Sequence, residues 1–152
     1  MILTTALSPL VGSSQQTDSL EFYKGCTSEE FAHSKGIFVE LESGFEEIED
    51  QIKSIGIKKD ENRKIEITFR VNCTGKAADF RLIKNGMADD FEKQVFKLIS
   101  SLQKWKPATL NGKKVNSIHI LNIETKRGKV DIDFAGYSPY LNWSDTKFKN
   151  NL

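Results

Sequence analysis

The chain has 152 residues, which is enough for one domain that buries its own hydrophobic core. Its net charge of +1 provides no field that would hold a nucleic-acid backbone, so no nucleic-acid partner is expected. Its apolar runs fall short of the roughly 20 residues that a membrane-spanning helix needs, so no membrane span is expected in the given chain.

Residues 1–16 have the apolar centre and the small-residue end of a secretory signal, and Val11 and Ser13 suit a cleavage site. The basic front of such a signal is missing, because the first lysine is Lys24. Either the true start lies upstream, or the protein is cytosolic and carries an apolar arm. We favour the remnant of a secretory signal and therefore expect a periplasmic or otherwise exported protein. Residues 17–42 follow as an N-terminal extension without a clear period.

The first strongly periodic segment predicts a helix over residues 43–55. Ser43 and Glu46 have the spacing of a capping box, in which each side chain bonds to the backbone of the other residue. Gly56 is suited to end the helix. The apolar side chains that share one face, because they recur at spacings of three and four, are Phe45, Ile48, Ile52 and Ile55.

Two strands are predicted next. Residues 65–73 alternate between apolar and polar side chains, which is the period of a strand with one face in the core, and Cys73 falls on the inward face. Residues 78–82 alternate in the same way, and Thr74-Gly75-Lys76 supplies a turn between the two segments. The pattern therefore predicts an antiparallel hairpin.

A second helix is predicted after Asp89 or Asp90, because either side chain can cap it. Trp105 continues the apolar stripe of this helix, so the helix should end near Trp105. Pro107 disfavours helical geometry in the residue before it, and Asn111-Gly112 provides a turn with positive φ. The position of Trp105 on the stripe favours burial in the core over contact with a partner.

Residues 115–123 have the β-branched content of a strand, and residues 130–134 alternate as a further strand. The order helix, strand, strand, helix, strand, strand predicts an α+β fold. In this fold an antiparallel sheet of three to four strands carries two helices on one face. The domain then spans residues 43–134. Residues 135–152 form a C-terminal tail that either covers apolar surface of the domain or serves as a recognition segment.

Two motifs recur in a known family. They are Ile67-Thr-Phe-Arg-Val-Asn-Cys-Thr-Gly75, and Trp105-Lys106-Pro107-Ala108 followed by Asn111-Gly112-Lys113-Lys114-Val115. With the predicted elements between them they resemble the TonB C-terminal domain over about residues 43–125. The most specific part is the tryptophan, one residue, Pro-Ala, and a short gap to a glycine before a strand begins. The resemblance implies a non-enzymatic periplasmic module that binds a short segment of an outer-membrane receptor as an added strand.

The resemblance assigns the receiving strand to residues 115–123 and implies a protein partner, such as a receptor segment. A complete energy transducer also has a membrane helix and a long Pro-rich spacer, which this chain does not show. Residues 130–134, moreover, could pair with the same strand edge and close it. The alternative function is then a stand-alone exported structural or regulatory protein with a self-capped sheet edge. The predicted partner-binding residues are Val115, Ser117, Ile118, His119, Ile120, Leu121 and Ile123.

The chain has two cysteines, Cys26 and Cys73. Such a pair is often a disulfide in an exported protein and more often two buried thiols in the cytosol. The TonB resemblance includes cysteine-containing periplasmic proteins of the Bacteroidetes, and this supports both export and a disulfide.

No catalytic, metal or cofactor site is predicted. The only histidines are His33 and His119, which lie far apart in the sequence, and no Cys-Xaa-Xaa-Cys spacing occurs. Asp131 and Asp133 would share one strand face and could act as an acid/base pair or bind a cation. The solvent-exposed face of an edge strand explains these two carboxylates more simply.

Overall fold

The computed structural model describes residues 19–26, 31–32, 39–84 and 86–135. The predicted secretory-signal remnant lies outside the described residues, as do His33 and the tail beyond residue 135. The helices and strands, in chain order, are α1 (Ser19–Phe22), β1 (Phe31–Ala32), β2 (Glu40–Leu41), α2 (Glu46–Gly56), β3 (Arg63–Val71), β4 (Ala77–Ile83), α3 (Asp90–Ser100), β5 (Trp105–Lys106), β6 (Thr109–Leu110), β7 (Lys113–Lys114), β8 (Asn116–Lys126) and β9 (Lys129–Ala135).

The main sheet has the strand order β4-β3-β8, and β9 pairs with the other side of β8. These four strands are antiparallel to their neighbours. The short β1 adds a parallel pairing at Asn116 and Ser117, which lie at the start of β8. The predicted α+β class is therefore confirmed, and β8 is an inner strand of the sheet.

The hydrophobic core lies between the two long helices and one face of this sheet. The strand register places Ile65, Ile123 and Ile132 in one row across β3, β8 and β9, and all three are buried. Because side chains alternate along a strand, every second residue of each strand points to the same face. The buried helix residues that join this core are Ile48, Ile52, Val95 and Ile99.

The first helix begins later than predicted, and the second begins at a predicted cap but ends earlier than predicted. The first begins at Glu46 and not at Ser43; its N-cap residue Phe45 makes no side-chain cap, so the predicted capping box is wrong. The physical reason is Gly44, whose φ of +72° places a turn between Ser43 and Glu46. The second helix is capped by Asp89, one of the two predicted residues, and the cap is a full capping box: the Asp89 side chain accepts from the Glu92 N–H while the Glu92 carboxylate accepts from the Asp89 N–H.

Trp105 lies in the short strand β5 and not at the end of a helix, since α3 ends at Ser100. Its β5 backbone pairs with β2, where Leu41 lies opposite Trp105. The prediction that the helical stripe continues to Trp105 is therefore wrong. The pairing of β5 with β2, and not a helical stripe, places the Trp105 indole in the core.

Candidate functional site

Trp105 is buried in an aromatic cluster at the centre of the core. The indole is 2% exposed, and its ring centroid lies 4.9 Å from that of Phe69 and 6.4 Å from that of Phe134. Its Nε1–H donates to the Leu102 carbonyl oxygen at 3.0 Å, so the polar atom of the ring is satisfied. Trp105 is thus a core residue and is not available to a partner on the surface.

Asn111 and Gly112 form the two-residue loop of the small hairpin β6–β7. Their φ angles of 51° and 75° are the left-handed pair that a tight hairpin loop requires, as the Asn-Gly sequence predicts. The backbone N–H of Val115 then donates to the carbonyl oxygen of Ala108 at 2.9 Å, which closes the hairpin below its loop. The hairpin therefore stands as a separate exposed unit before β8 begins.

The cysteines join the N-terminal segment to the sheet. Cys26 and Cys73 form a disulfide, which confirms that prediction. Phe22, just before the disulfide, is 1% exposed, and its carbonyl oxygen accepts from the Asn72 side-chain amide. Arg70 lies over the Phe22 ring, 5.4 Å from its centroid. Since Arg70 alternates with the inward residues of β3, this segment covers the sheet face opposite the helices.

The predicted receiving strand is closed along most of its length by the chain itself. Strand β8 is hydrogen-bonded to β3 on one side. On its other side, residues 120–126 pair with β9 and residues 116–117 pair with β1. Of the predicted partner-binding residues inside the strand, only Ile118 and His119 fall between these two pairings. Of the two alternatives for residues 115–123, the structure thus has the self-capped edge, because both sides of the strand carry backbone partners except at Ile118 and His119.

His119 points into the core. It is 6% exposed and lies between the rings of Phe69 and Phe134, at centroid distances of 5.8 and 5.5 Å. Its Nε2 is 2.7 Å from the Ser117 hydroxyl, and Ser117 is 1% exposed. Burial lowers the pKa of His119 to about 4, so the ring is neutral near pH 7. A serine–histidine pair so deeply buried has no surface from which to attack a substrate.

Asp131 and Asp133 lie on the exposed face of β9, opposite Glu124 and Asn122 of β8. Within the residues that the structure describes, no three or more metal-binding side chains come together. The two aspartates therefore occupy the solvent-exposed strand face that the alternation predicts.

A cleft of about 160 Å³ lies at the other end of the sheet from the disulfide. It is formed where α2 ends, β3 and α3 begin, and β8 ends. Local sequence patterns do not indicate this cleft, because its residues come from four elements and the loop after α2, which only the fold brings together. The residues that line it are Gly56, Ile57, Lys58, Glu61, Arg63, Phe91 and Thr125.

No family model, curated protein or solved structure matches the chain. The resemblance to the TonB C-terminal domain therefore rests on the two quoted motifs and stays a prediction. Among the helices of the described segments, none is long and apolar enough to cross a bilayer.

Proposed function

We propose that the protein is a stand-alone exported, non-enzymatic structural or regulatory domain whose strand β8 is covered by its own strand β9. The single observation that carries this proposal is the pairing of β9 with β8 over residues 120–126. Export is supported by the Cys26–Cys73 disulfide, since such bonds persist in oxidising compartments and are rare in the cytosol.

Addition of a foreign strand beside β8 would first require β9 to leave. This strand buries Val130 and Ile132 in the core, at 7% and 8% exposure, and Phe134 packs against the same core. Exposing three such side chains costs about 5 kcal/mol at about 1.5–3 kcal/mol for each fully buried side chain. A peptide that had to offset this cost would bind roughly 10³-fold more weakly or worse. Receptor-type strand addition to the closed form is therefore disfavoured.

The opposite edge of the sheet is irregular. In the described part of the chain, β4 is hydrogen-bonded to β3 alone. The register shifts between Thr68 and Arg70, opposite Asp79, which has a φ of 55° and forms an ion pair with Arg70. Bulges and charged side chains of this kind commonly protect an edge strand from pairing with another chain. The covered strand β8 and the irregular β4 edge thus favour a stand-alone domain over one that accepts an added strand beside β8.

The second candidate function is the receptor-binding module that the TonB resemblance implies. It is favoured by the motif around Trp105, whose Asn111-Gly112 turn precedes the strand that would receive the receptor segment. In this alternative, β9 would have to open before the receptor segment binds. The two proposals therefore differ in whether β9 leaves β8 in solution.

A cross-strand lock distinguishes the two proposals. Glu124 and Asp131 lie directly opposite each other on the exposed face, so the double variant Glu124→Cys/Asp131→Cys can join β8 to β9 without removing a core side chain. The intact protein and the locked variant are titrated by calorimetry with periplasmic plug segments of outer-membrane receptors. We expect no binding to either. Binding to the intact protein that the lock abolishes would support the receptor-binding module and overturn the closed edge.

The non-enzymatic part of the proposal has a separate test. Hydrolytic activity of the purified protein that is lost in Asp131→Asn or Asp133→Asn would contradict it. We expect no activity that depends on these two carboxylates, because they lie on an exposed strand face and not in a cleft.

A further inference from the structure

We propose that the end of β9, residues 133–135, is an acid-sensitive latch: protonation of His119 releases it from β8 and opens the edge of β8 over residues 118–122. This inference rests on the proposed closure of β8 by β9 and adds what opens it. Three features support it: the backbone pairing ends beside His119, the latch keeps the imidazole away from water, and the neighbours of the ring offer no partner for a positive charge.

The pairing of β8 with β9 ends next to His119. Its last two pairs join Leu121 to Phe134 and Ile120 to Ala135. Beyond them, pairing on this side of β8 resumes only at the start of the strand, with β1. The end of a strand pair opens more readily than its middle, because fewer neighbouring hydrogen bonds must break with it. The latch can therefore leave β8 while the hairpin end of β9 stays paired.

The latch holds the ring of His119 out of water. The Phe134 ring lies 5.5 Å from the imidazole between centroids, and the Phe69 ring lies on the β3 side at 5.8 Å. The side chain of Phe134 is half-buried, whereas Val130 and Ile132, earlier in β9, are buried. Release of the latch thus lets water reach the imidazole and leaves the two most deeply buried side chains of β9 in the core.

The latch is closed while His119 is neutral. The Phe134 ring also packs against the rings of Phe45 and Trp105, at centroid distances of 6.0 and 6.4 Å. Aromatic pairs at such distances stabilise the state in which they form. Release breaks these contacts, so it needs a further driving force, which a charge on the imidazole supplies.

Among the described residues, those that face His119 carry no charge. Its Nε2 lies 2.7 Å from the neutral Ser117 hydroxyl, and the neighbours from β3 and β9 are aromatic rings. The carboxylates of β9, Asp131 and Asp133, are exposed on the other face of the sheet, and Arg70 of β3 lies on that face too. Burial therefore lowers the pKa of His119 to about 4.

Release of the latch restores contact with water and with it the ordinary pKa of 6.5 for His119. Above pH 6.5 the ring is neutral in both forms, so the latched form keeps its full advantage. At pH 5 nearly every released ring carries a proton, against about a tenth of the latched rings. The ratio of released to latched protein should therefore rise about 20-fold between pH 7 and pH 5.

The test is ¹⁵N chemical exchange saturation transfer on the full chain, with its disulfide intact, at pH 7 and pH 5. The method measures the population of a minor form and identifies the amides that sense it. We expect a minor form that is sensed by residues 118–122 and 133–135 and is about 20-fold more populated at pH 5. The amides of Ile65 and Ile67 in β3 should not sense it. Exchange of equal population at Ile65 and Ile67 would indicate global unfolding and overturn the latch.

Two variants assign the effect to one ring. His119→Gln should remove the pH dependence, because glutamine stays neutral. His33→Gln, which replaces the other histidine of the chain, should keep the full change. A pH dependence that persists in His119→Gln would contradict the latch. The comparison of the two pH values in the unaltered chain depends on neither variant.

Failure of the latch and failure of the closed edge give different results. If residues 133–135 stayed paired equally at pH 7 and pH 5, the latch would be overturned and the closed edge of β8 would stand. If the released form already predominated at pH 7, both would be overturned.

Discussion

Replacement of Gly75 by alanine should destabilise the protein far more than the same change at another turn glycine. Gly75 follows β3 in the turn that leads to β4, with a φ of 87°. A Cβ atom there would lie 2.1 Å from the carbonyl oxygen of Trp105 and 3.5 Å from Pro107. Because the nearest atom belongs to the backbone, no side-chain rotation can relieve the contact, and β5 would have to move.

The expected cost has three parts. A left-handed φ costs a non-glycine residue about 1–2 kcal/mol. Movement of β5 would break the hydrogen bond from the Trp105 N–H to the Gly75 carbonyl oxygen, which is worth about 1 kcal/mol. Partial loss of contact around the buried indole adds about 1 kcal/mol. Gly75→Ala should therefore lower the free energy of unfolding by about 3–4 kcal/mol.

Gly112→Ala is the matched control, since Gly112 has a φ of 75° and nothing within 4 Å of the added Cβ. It should cost only the backbone part, about 1–2 kcal/mol. Urea unfolding of both variants with the disulfide intact, followed by tryptophan fluorescence, measures the difference. Equal losses of stability in the two variants would refute the close approach of Gly75 to Trp105.

Three further changes have expected effects on stability. Cys26→Ser with Cys73→Ser should lower the free energy of unfolding by about 4 kcal/mol in urea, because the disulfide closes a loop across a sequence separation of 47. Acidification should destabilise the protein through His119, whose pKa is about 4 when folded and 6.5 ordinarily. This contribution to stability is present above pH 6.5 and is lost as the pH falls towards 4. By about pH 4.5 the loss in the free energy of unfolding amounts to about 2–3 kcal/mol. A matched pH series on His119→Gln should lack this loss. Asp89→Ala should cost about 1 kcal/mol in thermal unfolding through loss of the α3 cap.

The long periodic segments could be predicted from the sequence because each has one strong local pattern. The predicted strand over residues 65–73 corresponds to β3, and the strand over 130–134 falls within β9. A cap at Asp89 or Asp90 could also be predicted, because a capping side chain bonds to the backbone only a few residues away, and Asp89 is the residue that caps α3. Local spacing alone fixes such features.

The errors arose where a contact distant in sequence decided the structure. Trp105 has helical spacing from the stripe of α3, but its backbone pairs with β2, opposite Leu41. Residues 17–42 show no period, so nothing in the sequence indicated that Phe22 covers the outer face of the sheet. Thr125 has the pattern of an ordinary strand residue, and only the packing of four elements makes it part of a cleft.

Amide hydrogen exchange on β8 tests the closed sheet edge most directly. An inner strand has hydrogen-bond partners on both sides, whereas an open edge strand protects only every second amide. We predict that all amides over residues 120–125 exchange slowly, since β3 and β9 pair with both sides of this segment. Alternation of slow and fast exchange along the same residues would contradict the account.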